Sequence, residues 1–391
     1  MRFFDFTHLC ILTMTLLASR GYSATLADAK NLYDDIFRNY SADYRPNQNQ
    51  SKNVYISLQI HPTNFLALDE LKHSFSFNSW FNLSWVDEQL VWNPADHGNF
   101  KLIHTPSSKI WKPSLEILNS LTKREIFGDD QSKVDILNNG RVTWLPSAVV
   151  ETACRVDVSF FPFDEQNCSV IIRSIYLSSE MWLDGKIVLR DFSDNGGWQL
   201  KDTDLSYIYN ADYQSLIATF KMKRRPTFYV QTIILPIMVL SFLNVMTFWL
   251  PDDSGEKISF ATSVLLSLTV FLSITSGLLP QTSDKPVSIT IYISVLLGMS
   301  GLTVLVAILL QYRSAKKYRE AIARNNGTGH PKIRYISDIV RFKMSKVEDI
   351  NCSFDDMRSS RLDSALFGVF FTVWVLCSTL FLSQVYFQYS V

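Results

Sequence analysis

The sequence predicts two architectures in series: an exported all-β sandwich of the immunoglobulin-like type, then an all-α bundle of four membrane-spanning helices. Three observations predict this. Cys154 and Cys168 enclose thirteen residues in the run CRVDVSFFPFDEQNC. Up to about residue 226, short alternating segments are separated by Asn, Asp, Gly and Pro, the pattern of many strands with turns. Beyond it lie four apolar stretches of about 20 residues, the length at which a helix crosses ~30 Å of hydrocarbon.

Residues 1–23 read as a secretory signal. Arg2 supplies a positive start, 9–18 a short apolar core, and Ser19, Gly21 and Ser23 small residues for cleavage. The core is too short to span a bilayer. Export implies an oxidising compartment. Cys154 and Cys168 are the remaining pair before the first apolar stretch and are expected to be bridged. Closing such a loop stabilises by roughly 3 kcal/mol in the chain-entropy account. Cys352 and Cys377 are expected as free thiols.

The exported domain is expected over 24–226. Its 28–38 segment (DAKNLYDDIFR) has amphipathic helical spacing, and 54–58, 75–85 and 217–222 read as strands. Sequons at Asn39, Asn49, Asn82 and Asn167 make these residues candidate glycan acceptors.

The apolar stretches are 228–250, which contains Pro236, then 258–279, 289–310 and 365–387. Residues 227–312 are expected to hold the first three helices, with a pore helix at 256–279, and 362–391 the fourth and an outer C-terminus. Between them, 313–361 carries twelve Lys/Arg against six Asp/Glu. The positive-inside rule makes this loop cytoplasmic. Sequons at Asn326 and Asn351 then face the cytoplasm and are expected bare.

The second stretch carries a stripe. Ser259, Ser263, Leu266, Val270, Ser273 and Gly277 are spaced four, three, four, three and four, which keeps them on one helical face. A water-filled lumen rewards such a stripe: hydroxyls loosen an ion's hydration, and a ring of Leu266 and Val270 closes by dewetting. Hydroxyls bonding back to their own helix, or joining helices, are the competing explanation. One helix makes no pore, so the first reading requires a symmetric ring of subunits. Glu256 precedes the stripe at its cytoplasmic end, where a ring of carboxylates favours cations; a helix-start glutamate is also favoured by the macrodipole. Lys257 opposes Glu256 unless it points away from the lumen.

These residues resemble the pentameric Cys-loop receptor family, in particular its nicotinic acetylcholine receptor branch, from about residue 25 to the end. The resemblance rests on DSGEKIS (253–259), VLLSLTVF (264–271), the Cys154–Cys168 loop with Phe161, Pro162, Phe163 and Asp164, WKP (111–113) and NLSWVD (82–87). It implies a symmetric pentamer of this chain with four further subunits, in the plasma membrane and at synapses. Permeant cations pass a central pore, an extracellular small-molecule agonist opens it, and membrane lipids surround it. Glu256 would be the selectivity ring, and Leu266 and Val270 the gate. Gly277 stands where such channels often carry an acid. For gating, the resemblance implies a coupling zone of Asp69, Glu70, Phe161 to Asp164, Arg224 and Pro280, with an Arg224–Glu70 pair. Lys223 and Arg225 are equally explained as basic residues snorkelling to headgroups.

Acetylcholine carries a quaternary ammonium, which aromatic cages hold by cation–π attraction. The resemblance places Trp80, Thr143 and Leu145 on the complementary face of such a site. The principal face is altered. Leu118 and Ile175 stand where the family has a tyrosine and its central tryptophan, and no adjacent cysteine pair accompanies Tyr207, Tyr209 and Tyr213. Tyr176 follows Ile175, although a strand would turn it the other way. A conventional acetylcholine site between identical subunits is therefore not expected, whereas these tyrosines remain candidates for another small molecule.

The sequence shows no metal-ligand cluster, Gly-rich phosphate loop or nucleophile–base set, so neither catalysis nor a cofactor is expected. Formal net charge is zero, and no nucleic-acid partner is expected. The reading is a cation-conducting channel subunit. The alternatives are a non-alpha subunit lending only its Trp80 face to a heteropentamer, and a four-span receptor without a pore.

Overall fold

The computed structural model describes residues 25–124, 127, 132–210, 212–250, 256–280, 285–326 and 354–390. The expected signal at 1–23, much of the expected cytoplasmic loop, Asn351 and Cys352 lie outside the described residues. Two compact units are present. One holds residues 25–69, 73–155 and 167–222; the other holds 70–72, 156–166 and the chain from 223.

The first unit opens with helix α1 (Leu26–Phe37). Thr25 caps it: its hydroxyl accepts from the Asp28 amide at 3.2 Å, and the Asp28 carboxylate accepts from the Thr25 amide at 3.0 Å. The strands are β1 (Val54–Asp69), β2 (Ser74–Val91), β3 (Leu102–Pro106), β4 (Leu115–Ile117), β5 (Lys133–Leu137), β6 (Asn139–Trp144), β7 (Ser147–Ala153), β8 (Glu165–Ser174), β9 (Met181–Ile187), β10 (Trp198–Tyr209) and β11 (Gln214–Arg224). They form a seven-stranded sheet, ordered β3-β5-β6-β2-β1-β9 with β7 also on β2, and a four-stranded sheet ordered β10-β11-β8-β4.

β1 and β2 are far longer than the segments expected at 54–58 and 75–85. Pro62 has no amide hydrogen for the ladder, and the pairing absorbs it in register shifts between Pro62 and Asn64 and between Phe65 and Ala67. The strand therefore bends and continues rather than ending. Apolar residues alternating along the strands meet in the interior, where Phe75, Phe77, Phe81, Trp85, Trp144 and Phe220 are almost completely buried. Gly140 takes φ +79°, and a Cβ there would collide with the Asp87 carbonyl oxygen. Cys154 and Cys168 are disulfide-bonded, with Cα atoms 5.2 Å apart.

The second unit contains helices α2 (Thr227–Trp249), α3 (Glu256–Gly277), α4 (Ser288–Asn326) and α5 (Phe354–Ser390). Each includes a segment long and apolar enough to cross a membrane. α2 has a π turn at Val230–Ile234 just before Pro236. Proline cannot donate to the preceding turn and crowds it, so the ladder widens there. α4 and α5 run beyond the expected 289–310 and 365–387, because the polar residues at 313–326 and 354–362 continue the helices past their apolar parts. α2 is the most enclosed span and α5 the least, with 44% and 11% of their apolar windows buried. Polar contacts fix the packing. Trp374 Nε1 donates to Ser241 Oγ at 2.8 Å, and Asn244 Nδ2 to Thr303 Oγ1 at 3.3 Å. Tyr292 stacks on Phe381 with centroids 4.4 Å apart. Cys377 is a free thiol.

Candidate functional site

α3 has two faces. Lys257, Ala261, Val264, Leu268 and Thr275 are buried against the other helices. Glu256, Ser259, Ser263, Leu266, Val270, Ser273 and Gly277 are all exposed. Leu266 is 66% and Val270 49% exposed, as are apolar residues of the other spanning helices such as Leu305 and Leu380, so it is the hydroxyls and Gly277 beside them that set this face apart. The hydroxyls do bond back to their own helix: Ser263 Oγ donates to the Ser259 carbonyl at 2.8 Å, and Thr262 Oγ1 to the same oxygen at 2.9 Å. With their hydrogens so used, these oxygens keep only lone pairs for whatever lies outside. Lys257 Nζ turns inward and meets Asp363 Oδ1 of α5 at 3.2 Å. Lys257 is therefore buried where Glu256 is exposed.

Of the residues expected in the coupling zone, Glu70, Phe161, Asp164 and Arg224 meet within the second unit. Arg224 is buried. Its Nε donates to Asp164 Oδ1 at 2.7 Å and its Nη2 to Asp164 Oδ2 at 3.1 Å. Nη1 lies 2.6 Å from Glu70 Oε1. The guanidinium carbon also sits 5.0 Å from the Phe161 ring centre and 5.4 Å from that of Tyr229. Gln166 Nε2 also donates to Asp164 Oδ2, at 2.6 Å. Pro162 follows a cis peptide bond, and both Pro162 and Pro280 are buried. Asp69 closes β1 in the first unit, while Phe163 is half-buried. On the same loop, Lys285 Nζ donates to Asp157 Oδ2 at 2.6 Å. Burial alone would raise the Asp157 pKa, but hydrogen bonds from Lys285 and Ser159 outweigh it and hold the carboxyl at about 2.

In the first unit, Trp80 on β2 and Thr143 on β6 are half-exposed on the outer side of the seven-stranded sheet, and Leu145 is exposed just beyond β6. His61, the cross-strand partner of Trp80, stacks on its ring at 3.5 Å with 12° between planes. Burial lowers the His61 pKa, partly offset by Asp191. The sequence signal for this stack is the pairing register of β1 and β2, which residue spacing alone does not reveal.

Of the remaining ring residues, Tyr207 and Tyr209 stack at 6.1 Å, and Tyr209 stacks on Trp182 of β9 at 5.6 Å. The Tyr207 hydroxyl accepts from the Gly185 amide at 3.0 Å and donates to Asp184 at 3.1 Å. Burial raises the pKa of this phenol, with Asp184 adding to the rise and the Gly185 amide opposing it. Tyr213 lies under the guanidinium of Arg173 instead, 5.1 Å from Cζ to ring centre. Tyr176 packs on Trp111 at 6.2 Å, while Ile175 is 58% exposed. The structure therefore groups Tyr207 with Tyr209 and gives Tyr213 and Tyr176 other neighbours. Of the candidate glycan acceptors, Asn39, Asn49 and Asn167 are exposed, whereas Asn82 is half-buried within β2 with its Oδ1 enclosed.

Comparison with known proteins agrees with this arrangement. The family description "Neurotransmitter-gated ion-channel ligand binding domain" matches residues 29–226, and "Neurotransmitter-gated ion-channel transmembrane region" matches 233–347. The chain is 36% identical over 277 residues to the neuronal acetylcholine receptor subunit alpha-5 of Homo sapiens, covering 68% of this chain and 59% of that one. It is 35% identical over 269 residues to the acetylcholine receptor subunit beta-type acr-2 of Caenorhabditis elegans, covering 66% and 46%. It is 32% identical over 325 residues to the human neuronal acetylcholine receptor subunit beta-3, covering 79% and 70%. The chain thus spans less than two thirds of the length of the first two relatives. With its four spanning helices it is a multi-pass protein of the plasma membrane. The chain belongs to the neurotransmitter-gated ion-channel family, in its nicotinic acetylcholine receptor-like branch, a family of channels and not of enzymes.

Proposed function

We propose that this chain is a subunit of a cation-selective pentameric channel, opened by an extracellular small molecule through the exported sandwich. The exposed face of α3 carries the reading. A helix whose outer face is hydroxyl, apolar and then small is costly against lipid alone but suited to a ring of five around water. Outward lone pairs on the Thr262 and Ser263 hydroxyls, whose hydrogens are used within the helix, attract cations and not anions. Lys257 faces inward toward Asp363, so Glu256 gives the ring of faces an uncancelled acid at one end. Leu266 and Val270 form the apolar constriction between the hydroxyl levels.

The test is a cysteine scan of 256–277 in cells that express the chain, read by reaction with a water-soluble thiol reagent and by current. Periodic reactivity at Ser259, Ser263, Leu266, Val270, Ser273 and Gly277, with none at Ala261, Val264 and Leu268, is expected. Glu256→Gln is expected to lower cation conductance. Uniform reactivity along the helix would sink the pore.

One observation favours a heteromeric role. Trp80, Thr143 and Leu145 lie at the outer side of one sheet, whereas Leu118 and Ile175 supply no ring. Surface expression without current when the chain is alone, and current on adding a nicotinic receptor subunit that carries the missing aromatic face, would select this version.

A further inference from the structure

We infer that Arg173 is a built-in cation occupying the candidate agonist pocket, a specificity-determining residue that rejects quaternary ammonium ligands. The inference rests on the proposed opening by an extracellular small molecule, and on Tyr213 being, as the family resemblance implies, one of the rings that this molecule meets. It begins with register. Glu116 of β4 and Arg173 of β8 are directly opposite each other in an antiparallel pair. Glu116 lies two residues before Leu118 and Arg173 two before Ile175, the positions where the family resemblance calls for rings. A charge pair thus stands beside the two places from which rings are missing.

The geometry is specific. Arg173 Nε donates to Glu116 Oε1 at 3.0 Å, and Nη2 reaches the same oxygen. The two side chains are 31% and 14% exposed. So held, the guanidinium lies over the Tyr213 ring with Cζ 5.1 Å from its centre. The ring already has its cation.

An incoming ammonium meets two obstacles. If it takes the Tyr213 face, it must displace the guanidinium and leave Glu116 enclosed without that partner. If it docks alongside on the Tyr213 side, it stands nearer the guanidinium than Glu116, whose charge offsets only part of the repulsion, and that remainder opposes the gain of one more ring contact. Neutral hydrogen-bond acceptors and carboxylates meet no such barrier, because the guanidinium can still donate to them.

The experiment measures equilibrium binding of labelled acetylcholine to membranes from cells expressing the full chain, with surface biotinylation to confirm assembly. The background is Leu118→Tyr with Ile175→Trp, which restores the two rings. Adding Arg173→Ala together with Glu116→Gln, so that no unpaired carboxylate attracts the ligand, is expected to tighten binding by about tenfold or more. Arg173→Gln in place of Arg173→Ala, close in shape but uncharged, is expected to do the same and serves if the alanine variant is not exported. Arg173→Lys, which keeps the charge, is expected to leave binding as weak as in the background. Equal affinity with and without the charge, or no binding in any variant, overturns the inference. Because binding is read without current, a chain that binds but never conducts would count against the channel and leave this inference standing.

Discussion

Asp87 and Arg224 are both buried ionisable residues, 0% and 3% exposed, and the molecule treats them in opposite ways. Arg224 is surrounded by countercharge: two oxygens of Asp164, one of Glu70, and the faces of Phe161 and Tyr229. Burial would lower its pKa, but these partners more than compensate and the guanidinium stays charged. Asp87 receives a hydrogen bond from the Tyr40 hydroxyl at 2.9 Å and one from the Gln89 amide at 3.0 Å, both from neutral groups. Burial dominates there and pushes its pKa up to about 6. Where a charge must persist, the fold brings partners from distant segments; where it need not, the group moves toward neutrality.

The largest effect is expected at Arg224. Arg224→Gln leaves the buried Asp164 and the partly exposed Glu70 without their guanidinium, a loss of about 3–5 kcal/mol for breaking such a set from one side. The detergent-solubilised protein should melt at clearly lower temperature. Neutralising all three positions together, with Asp164→Asn and Glu70→Gln, should recover part of that loss; no recovery would mean that shape, not charge, governs the cluster.

Asp87 should instead reveal itself through pH. Its folded pKa lies above the unfolded value of 3.8, so the unfolded state ionises first as pH rises. Stability should therefore fall between about pH 4 and pH 6, by on the order of 3 kcal/mol in total. Asp87→Asn should flatten this slope in melting curves taken across that window, and an unchanged slope would assign it to other groups.

Gly140→Ala tests the same region sterically. A left-handed backbone and the blocked Asp87 carbonyl predict a cost of about 1–3 kcal/mol, read as a lower melting temperature or as reduced export.

The smallest effect belongs to the pair Lys285–Asp157, whose side chains are 66% and 50% exposed. Asp157 has a lowered folded pKa of about 2. What it contributes is present above the unfolded value near 3.8 and lost as pH falls toward 2. Lys285→Ala should cost less than ~1 kcal/mol near neutral pH, and added salt should shrink the difference.

Features carried by one segment were legible in the sequence. Length and hydropathy mark the four spans, and the spacing of Ser259, Ser263, Leu266, Val270, Ser273 and Gly277 marks one face of α3. Arg224–Glu70 was legible only through family resemblance, and the bidentate partner, Asp164, was assigned to the same zone without being paired with Arg224. What the sequence does not display are contacts fixed by register and by helix rotation. Arg173 meets Tyr213 because strands from three parts of the chain are aligned. His61 covers Trp80 because β1 keeps its pairing past Pro62. Lys257 is indistinguishable from a lumen-facing lysine until the rotation of α3 is known.

That rotation ties the base of the second spanning helix to the last one. The carboxylate that draws Lys257 inward comes from a residue 106 positions later. A chain shortened before Asp363 would retain every residue of the exposed face of α3 and yet lose one countercharge that holds Lys257 inward. The final helix, the least enclosed of the four, therefore serves as a fixed counter-ion as well as a wall. The charge balance at one end of α3 is thus shared with the helix that carries Asp363.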